Sequence, residues 1–435
     1  MTTTHPSLLS PTHTQAYFPA LTGVRAIAAY LVFCFHMRPF GTTGQNGGLQ
    51  FWLDRLTAHG DAGVSIFFVL SGFLITIRYM NRIEPTRQWA IGYMQNRFAR
   101  IYPVYFLITA LTFVALWVHP LQTWYTWPVS SSLSDKLNIL VLNLTLMRCF
   151  FQDLCFTGVP TAWSLTVEEC FYVAAPFLLL SVKSRTWRLL LYPVVFLLTG
   201  ILLVNSCSYF DHPYGLLASV PFMLRFTFFG RCTEFILGMG LGIWVIRKSI
   251  KPTVNQWVVT FLGVLGVCGC MLVMDVIAVS TSLLLQKTRE WIVLLFFHIF
   301  LPSAVVMLFW GLLHEKSLLR KVLETNLFSL LGKSSYCFYL IHLGLPNDVL
   351  DKYVTRSPLI KFGVEVAFAI LLYKLVEVPL QRWLKRDSMR DKQPTRQYYL
   401  LSGGRSVWQQ GYFLSATSAS TSTTFYTSAN PVKSK

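Results

Sequence analysis

The sequence predicts an all-α polytopic membrane protein of about ten transmembrane helices, with both termini cytoplasmic. Three observations carry this expectation. Only 13% of the 435 residues are charged while 54% are hydrophobic, and mean hydropathy is +0.50. Soluble domains carry about 25% charged residues, so this chain is too poor in charge for a soluble globule. Ten segments approach the roughly 20 apolar residues that cross a bilayer. Basic residues then alternate along the chain. The connections assigned to the inside hold 19 Lys and Arg and those assigned to the outside hold 8, the asymmetry that fixes membrane orientation.

The spans fall near 18–37, 62–80, 101–118, 163–182, 187–206, 222–246, 256–279, 291–313, 327–346 and 358–382. The stretch 1–17 ahead of the first span is polar and has no Lys or Arg. It is therefore not a cleavable signal, and the first span is retained. The second span carries Gly63, Ser65, Ser71 and Gly72, small residues that permit close helix approach or access to a ligand. The interval 119–162 is too short for a soluble catalytic domain, so chemistry must occur among the helices or at their ends. Within it, 135–147 is apolar but short and reads as a re-entrant or interfacial helix. Counting it as a span would place Lys183, Arg185 and Arg188 outside. Residues 383–435 turn basic and then Ser/Thr-rich, a composition that predicts a disordered cytoplasmic tail. No internal repeat is evident.

The net charge of +18 would suggest nucleic acid in a soluble protein. Here basic cytoplasmic loops account for most of it, and no nucleic-acid partner is expected. Composition excludes a disordered chain, collagen and a disulfide-dense scaffold. Nine cysteines without a C-x-x-C pair exclude a zinc ribbon or a thioredoxin-type motif, and no metal is expected. Cys149 and Cys155 share one outer connection, where a disulfide is open to them.

Charges inside spans are costly and face a bundle interior or an aqueous cavity. Four constellations stand out. Arg25 and His36 are 11 residues apart, three turns plus about 20°, so they share a helix face about 16 Å apart. Arg25 falls in the inner half and His36 near the outer end. Snorkelling to the interface is the plain alternative. Arg97 and Arg100 are i and i+3 at the inner mouth. They suit phosphate groups, or simple membrane anchoring. Ser164, Glu168 and Tyr172 form one stripe at i, i+4 and i+8. Glu168 lies at the depth of His36, where a carboxylate orients an imidazole. A carboxylate favoured by a helix N-terminus is the alternative, and it fits Glu169 as well. Tyr339 and His342 share a face near the outer side, as catalytic support or as part of an interfacial aromatic belt.

Together these segments resemble the membrane acyltransferase-3 family, integral-membrane O-acyltransferases that modify bacterial surface glycans. The resemblance covers roughly 18–382. Arg25 and His36 match its Arg-x10-His element, and Arg97 and Arg100 its Arg-x-x-Arg element. FFVLSGFLI (67–75) matches the second-helix signature. WSLTVEECFY (163–172) matches a Trp-Ser-Leu-x-x-Glu-x-x-Phe-Tyr pattern on Glu168, and SSYCFYLIH (334–342) a late Tyr-Leu-x-His element. Five motifs in the right order are specific, although each alone is weak. Family members often carry an extra span and a fused SGNH hydrolase-like domain, and this sequence reads without either.

The resemblance implies a multi-pass enzyme of the bacterial inner membrane, surrounded by lipid, with 18–382 as its transmembrane acyltransferase domain. No cofactor is bound permanently. Acetyl-CoA or another acyl-CoA is the co-substrate, held by Arg25, Arg97 and Arg100. The acceptor is a hydroxyl of a surface or secreted glycan or of a polyprenyl-linked saccharide. Lipopolysaccharide O-antigen, an exopolysaccharide, peptidoglycan, a periplasmic glucan and a small secreted metabolite all fit. His36, oriented by Glu168, is the expected base or transient acyl carrier. Ser71, Ser164, Tyr172, Tyr339 and His342 are the expected support. A transporter or flippase of a glycan or lipid-linked precursor is the competing class, although transporters often show inverted repeats.

Overall fold

The structure is a computed structural model. It describes residues 17–41, 48–118, 123, 125–127, 131–209, 213–248, 257–279 and 283–386. The expectations for 1–16 and for the tail from 387 lie outside the described residues.

Seventeen α-helices follow one another among the described residues, and no strand is present, only an isolated bridge between Phe151 and Leu216. In chain order they are α1 (Pro19–Met37), α2 (Leu49–Thr57), α3 (Ala62–Tyr79), α4 (Arg87–Val118), α5 (Leu133–Leu144), α6 (Trp163–Ser184), α7 (Tyr192–Ser208), α8 (Val220–Phe226) and α9 (Phe228–Lys248). There follow α10 (Val258–Val279), α11 (Leu283–Leu295), α12 (Leu301–His314), α13 (Leu318–Leu323), α14 (Asn326–Ile341), α15 (Leu345–Tyr353), α16 (Pro358–Leu372) and α17 (Val378–Arg386). A π-helical turn, Phe296–Phe300, joins α11 to α12, and another, Tyr373–Glu377, joins α16 to α17.

Eight of the described helical stretches are long and apolar enough to cross a membrane. They match the first eight expected spans, and the chain is an all-α polytopic membrane protein. The last two expected spans are also helical but fall short of that measure. α14 has 16 residues and stops at Ile341, so the predicted span 327–346 is too long at its end. The stretch 358–386 carries Lys361, Glu365, Lys374 and Glu377 in its first 20 residues, more charge than an apolar span tolerates. The short segment read from 135–147 is α5, twelve residues long. Ser132 caps it by accepting from the Asp135 N–H while the Asp135 side chain returns to the Ser132 N–H. Hydrogen bonds from the Tyr214 hydroxyl and from Ser132 hold the Asp135 carboxyl below the usual carboxylate range.

α3 lies at the centre of the bundle, flanked by α1, α6, α9 and α12. Its small residues explain how. A Cβ at Gly72 would stand 2.0 Å from the Phe235 carbonyl oxygen, and one at Gly238 would stand 2.0 Å from that of Val69. α3 and α9 therefore touch backbone to backbone, the approach that small residues allow. Burial on all sides follows for Val69, Phe73 and Phe235. α7 is the opposite case. Val194, Val195, Leu198 and Leu202 are exposed on it, as suits a peripheral helix whose outer face meets lipid. In the connection between α5 and α6, Cys149 and Cys155 are joined by a disulfide.

Candidate active site

α1 and α14 pack along each other, and each closes on a histidine. His36 occupies the last turn of α1. Arg38 ends that helix in the left-handed conformation (φ 42°), with its N–H 2.9 Å from the Cys34 carbonyl. His342 directly follows α14, and Gly344 (φ +82°) then turns the chain against Pro160. His36 Nδ1 and His342 Nε2 lie 3.1 Å apart. His342 is 0% exposed and stacks on Phe338 at 5.9 Å between ring centroids. When His36 Nδ1–H donates to His342, the lone pair of His36 sits on Nε2.

His36 lines a cavity of about 560 Å³. Phe35, Phe156, Trp163, Phe226, Phe297 and Tyr339 supply its aromatic wall. His59, Asp61, Arg225 and Arg231 supply its charged and titratable groups. A second cavity of about 60 Å³ is lined by Arg25, Ser71, Arg100, Ser164, Glu168 and Tyr339, among others. Val64 and Tyr339 line both cavities, so these two side chains form the partition. The Tyr339 hydroxyl lies 2.9 Å from Ser164 Oγ and 3.0 Å from the Thr161 carbonyl.

The expected stripe on α6 is present, but its target differs. Glu168 Oε1 accepts from Ser71 Oγ at 2.6 Å and from the Tyr172 hydroxyl at 2.5 Å. Glu168 thus faces α3 and the Arg25 cavity, and the expectation that it orients His36 is not met. His342 takes that place. Equal depth in two helices brings their side chains together only if both faces turn toward each other, and α6 turns Glu168 to Ser71. Ser164, one turn earlier, reaches Tyr339.

The three arginines also divide. Arg25 and Arg100, each half-buried, line the smaller cavity. Arg97 is buried, with its guanidinium 5.7 Å from the Tyr79 ring and 5.5 Å from the Tyr172 ring, and it donates to the Tyr79 hydroxyl at 3.4 Å. Rings at that range attract a cation through their faces. Arg97 therefore sits in an aromatic box behind Arg100.

Sequence reasoning missed Asp61, His59, Arg225 and Arg231. Arg231 and Glu234 form a fully buried ion pair at 2.8 Å, and Ser65 Oγ donates to Glu234 at 2.7 Å. The signal was available, because Arg231 and Glu234 are charges within the span expected at 222–246. Gly63 and Gly72 serve packing, whereas Ser65 and Ser71 serve these polar contacts.

Buried polar groups around two adjoining cavities, set among helices long and apolar enough to cross a membrane, mark a membrane-embedded enzyme rather than a structural bundle. The acyltransferase domain family Acyl_transf_3 matches residues 18–372, and the chain belongs to this family of membrane acyltransferases. Two similar proteins are the O-acetyltransferase OatA of Staphylococcus aureus strains NCTC 8325 and COL. Each is 23% identical over 393 residues, which cover 86% of this chain and 59% of the relative. The chain thus spans less than two thirds of the length of these relatives. No solved structure matches.

Proposed function

We propose that the protein transfers an acetyl group from acetyl-CoA to a hydroxyl of a surface glycan, at the outer side of the bacterial cytoplasmic membrane. One observation carries the reading: His36 opens on a large cavity that shares only a two-residue partition with the cavity of Arg25 and Arg100. The names of the relatives support acetyl as the group. The basic loops favour an orientation with the Arg25 cavity toward the cytoplasm.

In this mechanism the CoA anion enters from the cytoplasm toward Arg25 and Arg100, which attract its phosphates. Arg97 backs them as a buried cation. The thioester carbonyl reaches the partition, and the acceptor hydroxyl reaches it from the His36 cavity. His36 Nε2 takes the hydroxyl proton as the oxygen attacks the carbonyl carbon. Tyr339, on the partition, donates to the Thr161 carbonyl at rest and turns that hydroxyl to the developing oxyanion as it forms. The C–S bond then breaks, the ester leaves on the acceptor, and the proton passes from His36 to the thiolate to give free CoA. An acyl group crosses the membrane barrier while CoA stays on its own side.

The test is thiol release from acetyl-CoA by purified protein in nanodiscs, with isolated surface polysaccharide as acceptor. His36→Ala should lower the rate by about 10²–10⁴-fold while CoA still binds. A variant His36→Ala with wild-type turnover sinks the mechanism. Unchanged CoA affinity in Arg100→Ala sinks the donor assignment separately.

A further inference from the structure

We propose that the acceptor is a saccharide bearing an anionic group, a carboxylate or a phosphate, which Arg225 grips at the rim of the His36 cavity while Asp61 takes a sugar hydroxyl; the assignment rests on the acyl-transfer reading above. Several cations near this end of the bundle are paired, and of the two arginines on the cavity only Arg225 is not paired among the described residues. Arg38 pairs with Asp54 at 2.8 Å, Arg55 with Asp275 at 2.5 Å and Lys361 with Asp351 at 2.5 Å. Arg231, also on the cavity, is committed to Glu234 at 2.8 Å and to Ser65 at 3.3 Å. Arg225 lines the same cavity, is exposed, and has no carboxylate or hydrogen-bond partner for its guanidinium among the described residues. A guanidinium is a planar fork that fits a carboxylate or a phosphate with two parallel bonds. A neutral sugar would leave that fork facing water.

Asp61 supplies the opposite kind of anchor. It precedes α3, lines the cavity, and has a buried Oδ1 that is hydrogen-bonded to nothing among the described residues. His59 Nδ1 stands 4.0 Å from that oxygen, beyond hydrogen-bond reach. A buried carboxylate oxygen calls for a donor, and a hydroxyl is the donor a saccharide offers. Trp163, Phe226 and Phe297 on the same wall suit the apolar faces of a pyranose ring. A ligand held by its anion at Arg225 and by one hydroxyl at Asp61 has only certain remaining hydroxyls able to meet His36. Two anchors of opposite sign would therefore fix which position is acetylated.

Three soluble probes test this with the full-length protein in nanodiscs and acetyl-CoA: methyl β-D-glucopyranoside, its 6-carboxylate (the uronate) and α-D-glucose 1-phosphate. Ester formation is followed by mass spectrometry and CoA release by thiol titration. The expected result is a kcat/KM for one or both anionic probes about tenfold above the neutral probe, as a charge-assisted hydrogen bond gives. The two anionic arms separate carboxylate from phosphate as the recognised group. Arg225→Gln should bring the ratio of anionic to neutral kcat/KM down to near one. Arg225→Lys should keep part of the preference, and high salt should erode it. Equal use of the neutral probe, or an anionic preference that survives Arg225→Gln, overturns the proposal and leaves acyl transfer standing. No CoA release with any probe or with surface polysaccharide overturns the acyl-transfer reading itself.

Discussion

His342→Leu tests how His36 is held. His342 is 0% exposed and is not among the residues lining the cavity, so it reaches the acceptor only through His36. It offers one hydrogen bond, 3.1 Å to His36 Nδ1. Leucine keeps apolar bulk against Phe338 and removes that bond. His36 then loses the partner that fixes its ring orientation and its tautomer. Leaving a buried hydrogen-bonding group without its partner costs about 1–3 kcal/mol, or about 5–140-fold at tenfold per 1.4 kcal/mol. The loss should fall on kcat and leave the acceptor KM and CoA affinity close to wild type, because neither ligand touches His342. His342→Gln, whose amide can still face Nδ1, should recover part of the rate. Stopped CoA release with saturating acceptor separates kcat from KM. If His342→Leu keeps more than half of the wild-type kcat in a folded, CoA-binding preparation, the positioning role is wrong.

Two further perturbations address the fold. Arg231→Met leaves the Glu234 carboxylate buried with only Ser65 beside it, and should destabilise the protein by about 3–5 kcal/mol. The double variant Arg231→Met/Glu234→Met should recover most of that, so thermal unfolding of the two in the same detergent decides whether the pair acts as a unit; equal loss in both refutes it. Gly72→Val should fail to accumulate as folded protein, since its Cβ would stand 2.0 Å from the Phe235 carbonyl and a backbone contact cannot yield as a side chain can. Gly269→Ala, with nothing within 4 Å of the added carbon, should be tolerated in the same size-exclusion assay.

Much of the architecture is legible in one dimension. A span is a local property of about 20 residues, and eight of the expected spans are helices of that kind. The alignment of Arg25 with His36, and of Ser164 with Glu168 and Tyr172, is also local, because helical periodicity fixes it. The structure places Arg25 and His36 on two successive cavities, with Ser164 and Glu168 of the stripe on that of Arg25. What periodicity leaves open is which face of one helix meets which face of another. His36 and His342 are 306 positions apart, and nothing in either segment names the other. Glu168 can be assigned a depth but not a neighbour, so depth alone pairs it with His36, whereas its partners are Ser71 and Tyr172. Arg97 and Arg100 illustrate the same limit at short range. Three residues apart on one helix, they face different surroundings because the aromatic box around Arg97 comes from α3 and α6.

The Arg231–Glu234 pair bears on how the chain enters the membrane. Both charges lie within one turn of α9, so the ion pair can close before that helix meets any neighbour. A lone arginine at mid-helix is a heavy burden for insertion, whereas two opposite charges at i, i+3 enter as a nearly neutral unit. Ser65 of α3 and the rings of Phe68 and Phe297 then need only dock onto a polarity already balanced. With its charge already balanced within one turn, α9 can enter the membrane without a neighbouring helix having to rescue an isolated charge from lipid.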